Sequence, residues 1–435
     1  MFKTLRNALK IEDIRKKLIF TFLMLVVVRF GSQLPIPGAN RDYFQAWFAQ
    51  QTGDAFNFFD AFTGGSFTSM SLFALGITPY ITSSIIVQLL TIAIPKLEEM
   101  QKDGEDGRKK IQTISRYLTV ALALIESIAM TVGFGSRGLL AANTIPNKIV
   151  VIAAMTAGSA FLMWIGEEIT EHGVGNGISI VLLINIVSRI PDDFVTLFDQ
   201  FMKGQTILNA VVAAVVIIAV VLVTVVFVIF LQDGERRIPV QYAKKMQGRK
   251  MVGGQSTNIP LKVNTAGVIP VIFASSLMSF PNVIASLLGK TGGTGIGSKI
   301  MTGLSQSSWC DPSRPIYSLG LVLYIVLVVF FAYFYTSITF NPIEISNNMK
   351  RQGGFIPGIR PGKPTTEYLS RILNYIVFIG AVGLIIVCVI PIFFNGMFGA
   401  NVSFGGTSII IIVGVVLETL KQIESQMLVR YYKGF

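Results

Sequence analysis

Charged side chains are scarce in this sequence of 435 residues, because Asp, Glu, Lys and Arg make up only 14% of it. A soluble domain carries about 25% charged residues, so this chain would aggregate in water. Hydrophobic residues account for 52% of the chain, and the mean hydropathy is +0.63. Apolar stretches of about 18 or more residues recur along the chain, and each can cross a hydrocarbon core of about 30 Å. The composition therefore excludes a soluble protein and predicts a polytopic membrane protein.

Cysteine and histidine are also scarce, with two cysteines and one histidine in the chain. Cys310 in a loop and Cys388 in a hydrophobic run form no disulfide framework and are interpreted as free thiols. His172 has no Cys or His neighbour at the spacing of a metal site, which favours a solvated loop residue. Catalytic and nucleotide-binding motifs are missing, as is any aspartate within a predicted span. We therefore predict no catalytic residue, cofactor or metal, and a membrane-embedded hydrolase is disfavoured.

Ten apolar segments are predicted to span the membrane, although several are of marginal length, notably the fifth. The stretch 56–73 is also apolar, but Gly64 and Gly65 interrupt it and Ser and Thr are frequent in it. We interpret this stretch as a re-entrant half-helix, which is tolerated at membrane depth only inside protein or beside a water-filled cavity. Residues 1–17 predict a cytoplasmic amphipathic helix without a cleavable signal. The ten predicted segments are about 18–35, 74–95, 112–134, 149–167, 176–190, 207–231, 264–288, 316–339, 371–393 and 406–427.

Lysine and arginine are distributed unevenly between the predicted loops. The N-terminus and the second loop have six each, the sixth loop has seven and the eighth has five, whereas odd-numbered loops have at most three each. Because positive charge is retained on the cytoplasmic side, both termini are predicted to be cytoplasmic. The short, acidic fourth loop is an exception. The net charge of +12 thus reflects orientation in a membrane and not a nucleic-acid-binding surface.

A glycine- and proline-marked string occurs twice in the chain. GITPYITSSI at 76–85 returns 191 positions later as GVIPVIFASS at 267–276, with four of ten positions identical. A weaker echo links GISIVL at 177–182 with GTSIII at 406–411. Both pairs join segment n to segment n+5, and because five is odd, the second half is predicted to be inverted. Inverted repeats place a functional path at the interface between the halves. The two predicted halves are 18–205 and 206–435.

Ionisable residues are few within the predicted spans. Arg29 and Glu418 lie near segment ends, and Glu126 lies in the third segment. A secondary transporter of the inverted-repeat type needs such groups to hold ions or charged substrates, so this class is the second interpretation. Two roles stay open for Glu126, a polar latch towards Gln88 and Thr91 or a structural hydrogen bond. The aliphatic interior instead suits a pore that closes by expelling water from a narrow apolar constriction.

Two long, basic, turn-rich loops are predicted on the cytoplasmic side, at about 232–263 and 340–370. Arg360 lies at the tip of the string GIRPG, where the turn residues present its guanidinium outwards. Basic loops commonly serve only orientation and lipid head groups. Loops this large favour a docking platform for an acidic protein surface or for RNA phosphates. A membrane scaffold protein would explain the loops but not the re-entrant segment.

Several long strings give the chain a family resemblance. GITPYITSSIIVQLL, GEEITEHGVGNGISI, QSTNIPLKVNTAGVIPVIFASS and FIPGIRPG resemble the signature stretches of the SecY family, the channel subunits of the bacterial Sec translocon. The resemblance covers effectively the whole chain. It implies an all-α fold of ten helices in two inverted halves, with the small membrane subunits SecE and SecG as partners. It also implies passage of unfolded secretory chains and their signal peptides, with release of hydrophobic segments sideways into the lipid bilayer of the bacterial plasma membrane. The driving partner would be the motor ATPase SecA or a ribosome.

The resemblance also implies four groups of site residues. A pore ring is implied at Ile81, Ile85, Leu182, Ile186, Ile272 and Ile411, with Leu182 at a position where some relatives have isoleucine. The half-helix corresponds to a plug that includes Phe62, Gly64, Gly65, Phe67 and Ser69. A lateral gate between the second and seventh segments includes Ser83, Ser84, Gln88, Thr91, Glu126, Ser275, Ser276 and Phe280. Motor or ribosome docking is expected at Arg236, Arg237, Lys244, Lys245, Arg249, Lys250, Arg360 and Lys363.

Overall fold

A helix lies on each of the ten predicted segments. The computed structural model describes residues 6, 8–50, 60, 62–135, 138, 140–202, 207–242, 245–247, 250–252, 256–287, 296–305, 308–310, 315–398 and 406–431. The first five segments form α1 (Glu12–Gly31), α3 (Thr78–Ala93), α5 (Glu105–Phe134), α6 (Ile145–His172) and α7 (Gly177–Phe201). The second five form α8 (Ile207–Asp233), α9 (Ile269–Leu287), α11 (Leu319–Thr339), α13 (Lys363–Phe398) and α14 (Gly406–Tyr431). Four shorter helices are α2 (Arg41–Gln50), α4 (Pro95–Lys102), α10 (Ile296–Leu304) and α12 (Pro342–Arg351).

Fewer helices than ten satisfy a strict test of length and hydropathy. Among the described residues, five helices are long and apolar enough to cross a membrane, and a sixth qualifies if α3 and α4 count as one bent span. These two helices meet at an angle of 108°, because Pro95 disfavours helical backbone in the residue before it. The structure therefore confirms a largely helical membrane protein with several apolar spans. The count of ten spans stays a prediction.

The chain departs from the predicted boundaries near its N-terminus and in the re-entrant stretch. Helix α1 runs without interruption from Glu12, so no boundary separates an amphipathic helix from the first span at residue 17. In the stretch 56–73, the residues described as helical are 60, 62 and 63, and turns follow them. Gly64 and Gly65 take φ values of +65° and +83°, a backbone conformation that ends a right-handed helix. The predicted half-helix is thus corrected to a turn-rich segment, and residues 56–59 and 61 lie outside the described part.

The all-α prediction is wrong for the two long basic loops. Strands β1 (Glu235–Tyr242) and β4 (Ser256–Lys262) pair antiparallel, and β5 (Gly354–Phe355) joins the other edge of β1. A separate hairpin consists of β2 (Lys245–Gln247) and β3 (Lys250–Val252). Side chains on one face of the three-stranded sheet are buried against residues of α12 and α13. This cluster includes Ile238, Val240, Leu261, Met349, Ile356 and Leu369. Both loops therefore form one packed body.

The same pairs of helices pack together in both halves of the chain. In the first half, α1 packs on α6 and α7, α3 on α5, α5 on α6, and α6 on α7. In the second half, α8 packs on α13 and α14, α9 on α11, α11 on α13, and α13 on α14. If the ten segments are numbered in chain order, adding five to both numbers of each first-half pair gives a pair that also packs in the second half. Between the halves, α7 packs on α14 and α5 on α9.

The repeated glycine–proline strings adopt the same local structure. Gly76 has a φ of +59° and Gly267 a φ of +63°. Each glycine lies two residues before the first residue of its helix, α3 or α9. Pro79 and Pro270 are the second residues of these helices, where a missing N–H leaves no helical hydrogen bond unmade. The sequence repeat therefore corresponds to two structurally equivalent helix starts.

Candidate functional site

Five of the six predicted ring residues lie in one hydrophobic cluster, which we call the waist cluster. Ile186 and Ile411 are each only 2% exposed, and Leu182 is also buried in it. Ile81 and Ile272 pack against the cluster and are partly buried. These residues come from α3, α7, α9 and α14, so helices from both halves converge there. A narrow apolar zone of this kind is the type of constriction that closes a pore without charge.

Ile85 is placed differently from the other predicted ring residues. It lies one helical turn beyond Ile81 on α3 and lines a crevice between α3, α9 and α11. Phe273 of α9 and Phe331 of α11 also line this crevice, and their rings stack with centroids 5.1 Å apart. Gln88, a predicted gate residue, also lines this crevice. We call this feature the gate crevice, because it opens between the two helices that begin with the repeated strings.

The buried gate serines bond to the helix that follows in their own half. Ser83 donates to the carbonyl oxygen of Ser115 on α5 at 2.6 Å. Ser275 is buried and its hydroxyl lies 3.5 Å from the hydroxyl of Tyr324 on α11. Ser84 is partly buried, and Ser276 is exposed. A buried serine therefore joins each of the two gate helices to another helix of the same half.

The remaining predicted gate residues do not form a polar cluster. Thr91 donates to the carbonyl oxygen of Gln88 within α3 at 2.6 Å. Among the described residues, no hydrogen bond joins Glu126 to either of these side chains. Glu126 is partly buried on α5, which packs on both gate helices. The side chain of Phe280 lies outside the described part of the chain.

The predicted plug residues pack in the waist cluster and in a cluster next to it. Phe62 is buried in the waist cluster itself, whereas Phe67 packs in a neighbouring cluster. Gly64 is buried and Gly65 and Ser69 are partly buried. The amide of Ser69 donates to the carbonyl oxygen of Gly65 at 3.1 Å. This segment thus contacts the residues that would have to separate if a chain passed through the waist.

Sequence reasoning missed an ion pair at the plug segment. Asp60 lies 2.9 Å from Arg189 of α7, measured from Oδ2 to Nη1. Arg29 of α1, noted only as an ionisable residue near a segment end, donates to the carbonyl oxygen of Gly64 at 3.4 Å. A signal was present in the sequence, because ionisable residues of opposite sign at membrane depth are expected to pair. Arg189 lies at the end of the fifth segment, and Asp60 lies within the re-entrant stretch.

The predicted docking residues with described side chains are exposed on the packed body of the two long basic loops, which we call the cytoplasmic-loop body after their predicted location. Arg236 and Arg237 extend from β1, and Arg237 Nε donates to Glu235 at 2.7 Å. Arg360 and Lys363 are exposed at and beside the tip of the second loop. Lys245 and Lys250 lie in β2 and β3, but their side chains are outside the described part, as are Lys244 and Arg249. Among the described residues, no group of three or more His, Cys, Asp or Glu side chains could hold a metal ion.

Comparison with known proteins identifies the family of this chain. The SecY family model matches residues 71–420. Over the full length of both chains, the protein is 43% identical to the protein translocase subunit SecY of Halalkalibacterium halodurans and 42% identical to that of Mycobacterium tuberculosis H37Rv. It is 44% identical to the SecY subunit of Streptomyces coelicolor, again over all of both chains.

Solved structures agree in fold. One protein-conducting channel aligns with a TM-score of 0.65 at 19% identity, covering 97% of this chain and 94% of that chain. Sec61 in a canine ribosome–channel complex from the endoplasmic reticulum aligns with a TM-score of 0.64 at the same identity and coverage. Since the family model spans most of the sequence and relatives match it end to end, this chain belongs to the SecY family.

Proposed function

We propose that this protein is a protein-conducting channel that passes unfolded secretory polypeptides across a membrane. The observation that carries the proposal is the waist cluster, where aliphatic side chains of four helices from both halves meet. An apolar constriction blocks ions while closed, and it makes no specific polar contacts that would hold back a passing chain. Family membership supports the same function, because the full-length relatives are protein translocase subunits. A secondary transporter is not favoured.

The proposed topology has ten spans in two inverted halves, with both termini in the cytoplasm of a bacterium. The matching sets of packed helix pairs in the two halves support the inverted repeat. The equivalent starts of α3 and α9 support it independently. The positive charge of the N-terminus and of the second, sixth and eighth loops supports the orientation.

The proposed gate lies between α3 and α9, and it lets hydrophobic segments leave sideways into lipid. Ser83 fastens α3 to α5, while the contact of Ser275 with Tyr324 fastens α9 to α11. If the halves separate, these bonds remain intact and the apolar gate crevice widens. Opening along this line therefore breaks weak apolar contacts and preserves the buried hydrogen bonds, whose loss would be costly.

The proposed partners are a motor ATPase of the SecA type or a ribosome at the cytoplasmic-loop body, and SecE and SecG within the membrane. The exposed arginines on β1 and at the loop tip support docking of acidic protein surfaces or RNA phosphates. Two structural neighbours are ribosome-bound channel complexes, Sec61 and Ssh1. The energy for transport would come from these partners, because the sequence contains no nucleotide-binding motif and the channel is proposed to be passive.

Photocross-linking tests whether polypeptide passes the waist. A photoreactive residue at Ile186 is expected to form an adduct with a secretory chain stalled midway through the membrane. The same probe at Val223, which is 67% exposed on α8, is expected to react with lipid and to give little adduct. Equal, weak adducts at both positions, with the chain demonstrably stalled, would refute passage through the waist cluster.

Labelling of the two native cysteines tests the proposed topology. Cys310 precedes the eighth span in a loop proposed to face the outside, and Cys388 is buried. A membrane-impermeant maleimide added to intact cells is therefore expected to label Cys310 alone, and Cys310→Ser is expected to remove the label. Burial raises the pKa of the Cys310 thiol, which lowers the thiolate fraction at neutral pH. Labelling is thus expected to be faster at about pH 9 than at about pH 7. Labelling that requires permeabilised cells contradicts the topology.

Charge reversal at the loop tip tests docking. Arg360→Glu is expected to weaken binding of the SecA-type motor or of ribosomes to vesicles that contain the channel by about tenfold, because it places a carboxylate against an anionic surface. Flotation of the vesicles with bound partner measures this change. Lys299→Glu is the matched control, since Lys299 is also exposed but belongs to a loop proposed to face the outside. Unchanged binding of both partners would show that Arg360 has no docking role.

A further inference from the structure

The carboxylate of Asp60 connects the plug segment to the wall of the channel. Asp60 is fully buried, at 0% exposure. Its Oδ2 lies 2.9 Å from Nη1 of Arg189 on α7, and its Oδ1 accepts the backbone N–H of Thr68 at 2.9 Å. One side chain therefore both closes the turn of the plug segment and anchors that turn to a helix of the waist cluster.

Neighbouring side chains hold the backbone of the same turn. Asn185 of α7 donates from Nδ2 to the carbonyl oxygen of Phe62 at 3.3 Å, and Arg29 of α1 donates to that of Gly64 at 3.4 Å. Gly64 fits closely against α7, because a Cβ at this position would lie 2.8 Å from the carbonyl oxygen of Asn185. The plug segment is thus seated at a defined position and does not merely fill space.

The contact between the plug segment and α7 has a polar part, formed by the ion pair and the bond from Asn185, beside the apolar packing of Phe62 in the waist cluster. Ser66 Oγ, Asn185 Oδ1 and Arg189 Nε are buried and have no hydrogen-bond partner among the described residues. Polar atoms of this kind are expected to bind water. A hydrated polar contact can exchange its bonds for bonds to water when the segment leaves, whereas a dry apolar contact cannot. The ion pair is therefore placed where it can be both specific and reversible.

We propose that Asp60 and Arg189 are positioning residues that hold the plug segment in its seated, closed position, so that their ion pair sets how readily the channel opens. This inference rests on the proposed channel function and on the plug assignment. Removing Arg189 leaves Asp60 fully buried without its countercharge, and removing Asp60 leaves the partly buried Arg189, at 26% exposure, without its partner. The seated position then becomes less stable relative to a displaced one, in which the remaining charged group reaches water.

The proposal is tested by ion leak through the purified channel in lipid vesicles, without a translocating chain. Asp60→Asn and Arg189→Gln are each expected to increase the rate of anion efflux by about tenfold, because the closed population falls. The exchanged pair, Asp60→Arg with Arg189→Asp, is expected to lower the leak of the single variants only in part, because it restores the ion pair while an arginine at position 60 cannot accept the N–H of Thr68. The thermal melting temperature of each variant in detergent reports whether it is folded.

A second ion pair provides the control. Lys421 Nζ and Asp233 Oδ1 lie 2.6 Å apart between α14 and α8, with both side chains exposed. Asp233→Asn is expected to leave the leak unchanged, as exposed pairs contribute little. If Asp60→Asn is not recovered folded, Arg189→Lys gives the same comparison, since it keeps the charge but alters the geometry, and an intermediate leak is expected. Folded single variants that leak no more than the original protein overturn the proposal, and so does an exchanged pair that leaks as much as the single variants.

The channel function and this inference fail in different ways. If the cross-link at Ile186 forms but the single variants do not leak, the channel stands and the role of the ion pair is refuted. If the cross-link does not form, the channel proposal itself is refuted. A purely structural role for the ion pair would lower the melting temperature without the rescue of leak by charge exchange.

Discussion

Replacing Ile186 with asparagine is expected to raise the ion leak of the resting channel by about tenfold or more. Ile186 is buried in the waist cluster beside other aliphatic residues from α7 and α14. Water is expelled from a narrow apolar constriction, and ions do not pass through a constriction that contains no water. A buried amide keeps water in the constriction, because an unpartnered amide in an apolar site is costly. Anion efflux from vesicles that contain the purified protein measures the change.

Ile186→Val is the matched control for this substitution. Valine removes one methylene group but keeps the site apolar, so the leak is expected to stay within about twofold of the original, and stability to fall by about 1 kcal/mol. The amount of each variant in the membrane must be equal for the comparison. Equal leak of the valine and asparagine variants would mean that the seal does not depend on the apolar character of the waist.

Replacing Gly158 with alanine is expected to lower the stability of the protein strongly, because the added methyl group has no space. Gly158 lies in α6, against the turns at the end of the stretch 56–73. A Cβ at this position would lie 1.9 Å from the carbonyl oxygen of Leu72. Backbone atoms cannot rotate away as a flexible side chain can, so the helix and the turn must separate. Overpacking of this kind typically costs about 1–3 kcal/mol or more. The melting temperature of the detergent-solubilised protein is expected to fall by several degrees.

Gly297→Ala provides the opposite expectation at another helical glycine. Nothing lies within 4 Å of a Cβ built at Gly297 in α10. Alanine is favoured over glycine in a helix by about 1 kcal/mol, so the melting temperature is expected to be unchanged or slightly higher. A fall of the same size for both variants would contradict the close packing at Gly158 and indicate a general intolerance of substitution.

Local sequence patterns were sufficient to locate the helices. Long apolar stretches satisfy their backbone polar groups only as helices or closed barrels in lipid, which is why a helix lies on each predicted segment. The starts of α3 and α9 were also encoded locally, because a left-handed glycine and an early proline act within one turn. Neither feature depends on which helices become neighbours, so both could be read from the sequence.

Which of the predicted ring residues lie in the waist cluster could be predicted from the sequence only in part. Ile81 and Ile85 share one face of α3, and helical periodicity alone gives them the same environment. The structure separates them, because α3 passes the waist cluster at Ile81 and reaches the gate crevice one turn later. Periodicity defines the face of a helix but not the depth at which that face meets its neighbours.

The sequence by itself determined that this is a helical membrane protein with an internal sequence repeat and two long basic loops. These properties follow from composition, apolar length and residue periodicity, which act within a single segment. Only the tertiary structure decided that β5 of the second loop joins the sheet of the first, and that Asp60 of the plug segment meets Arg189 of α7. Both contacts join residues far apart in the chain. Their formation depends on how the helices pack in three dimensions, which no local pattern specifies.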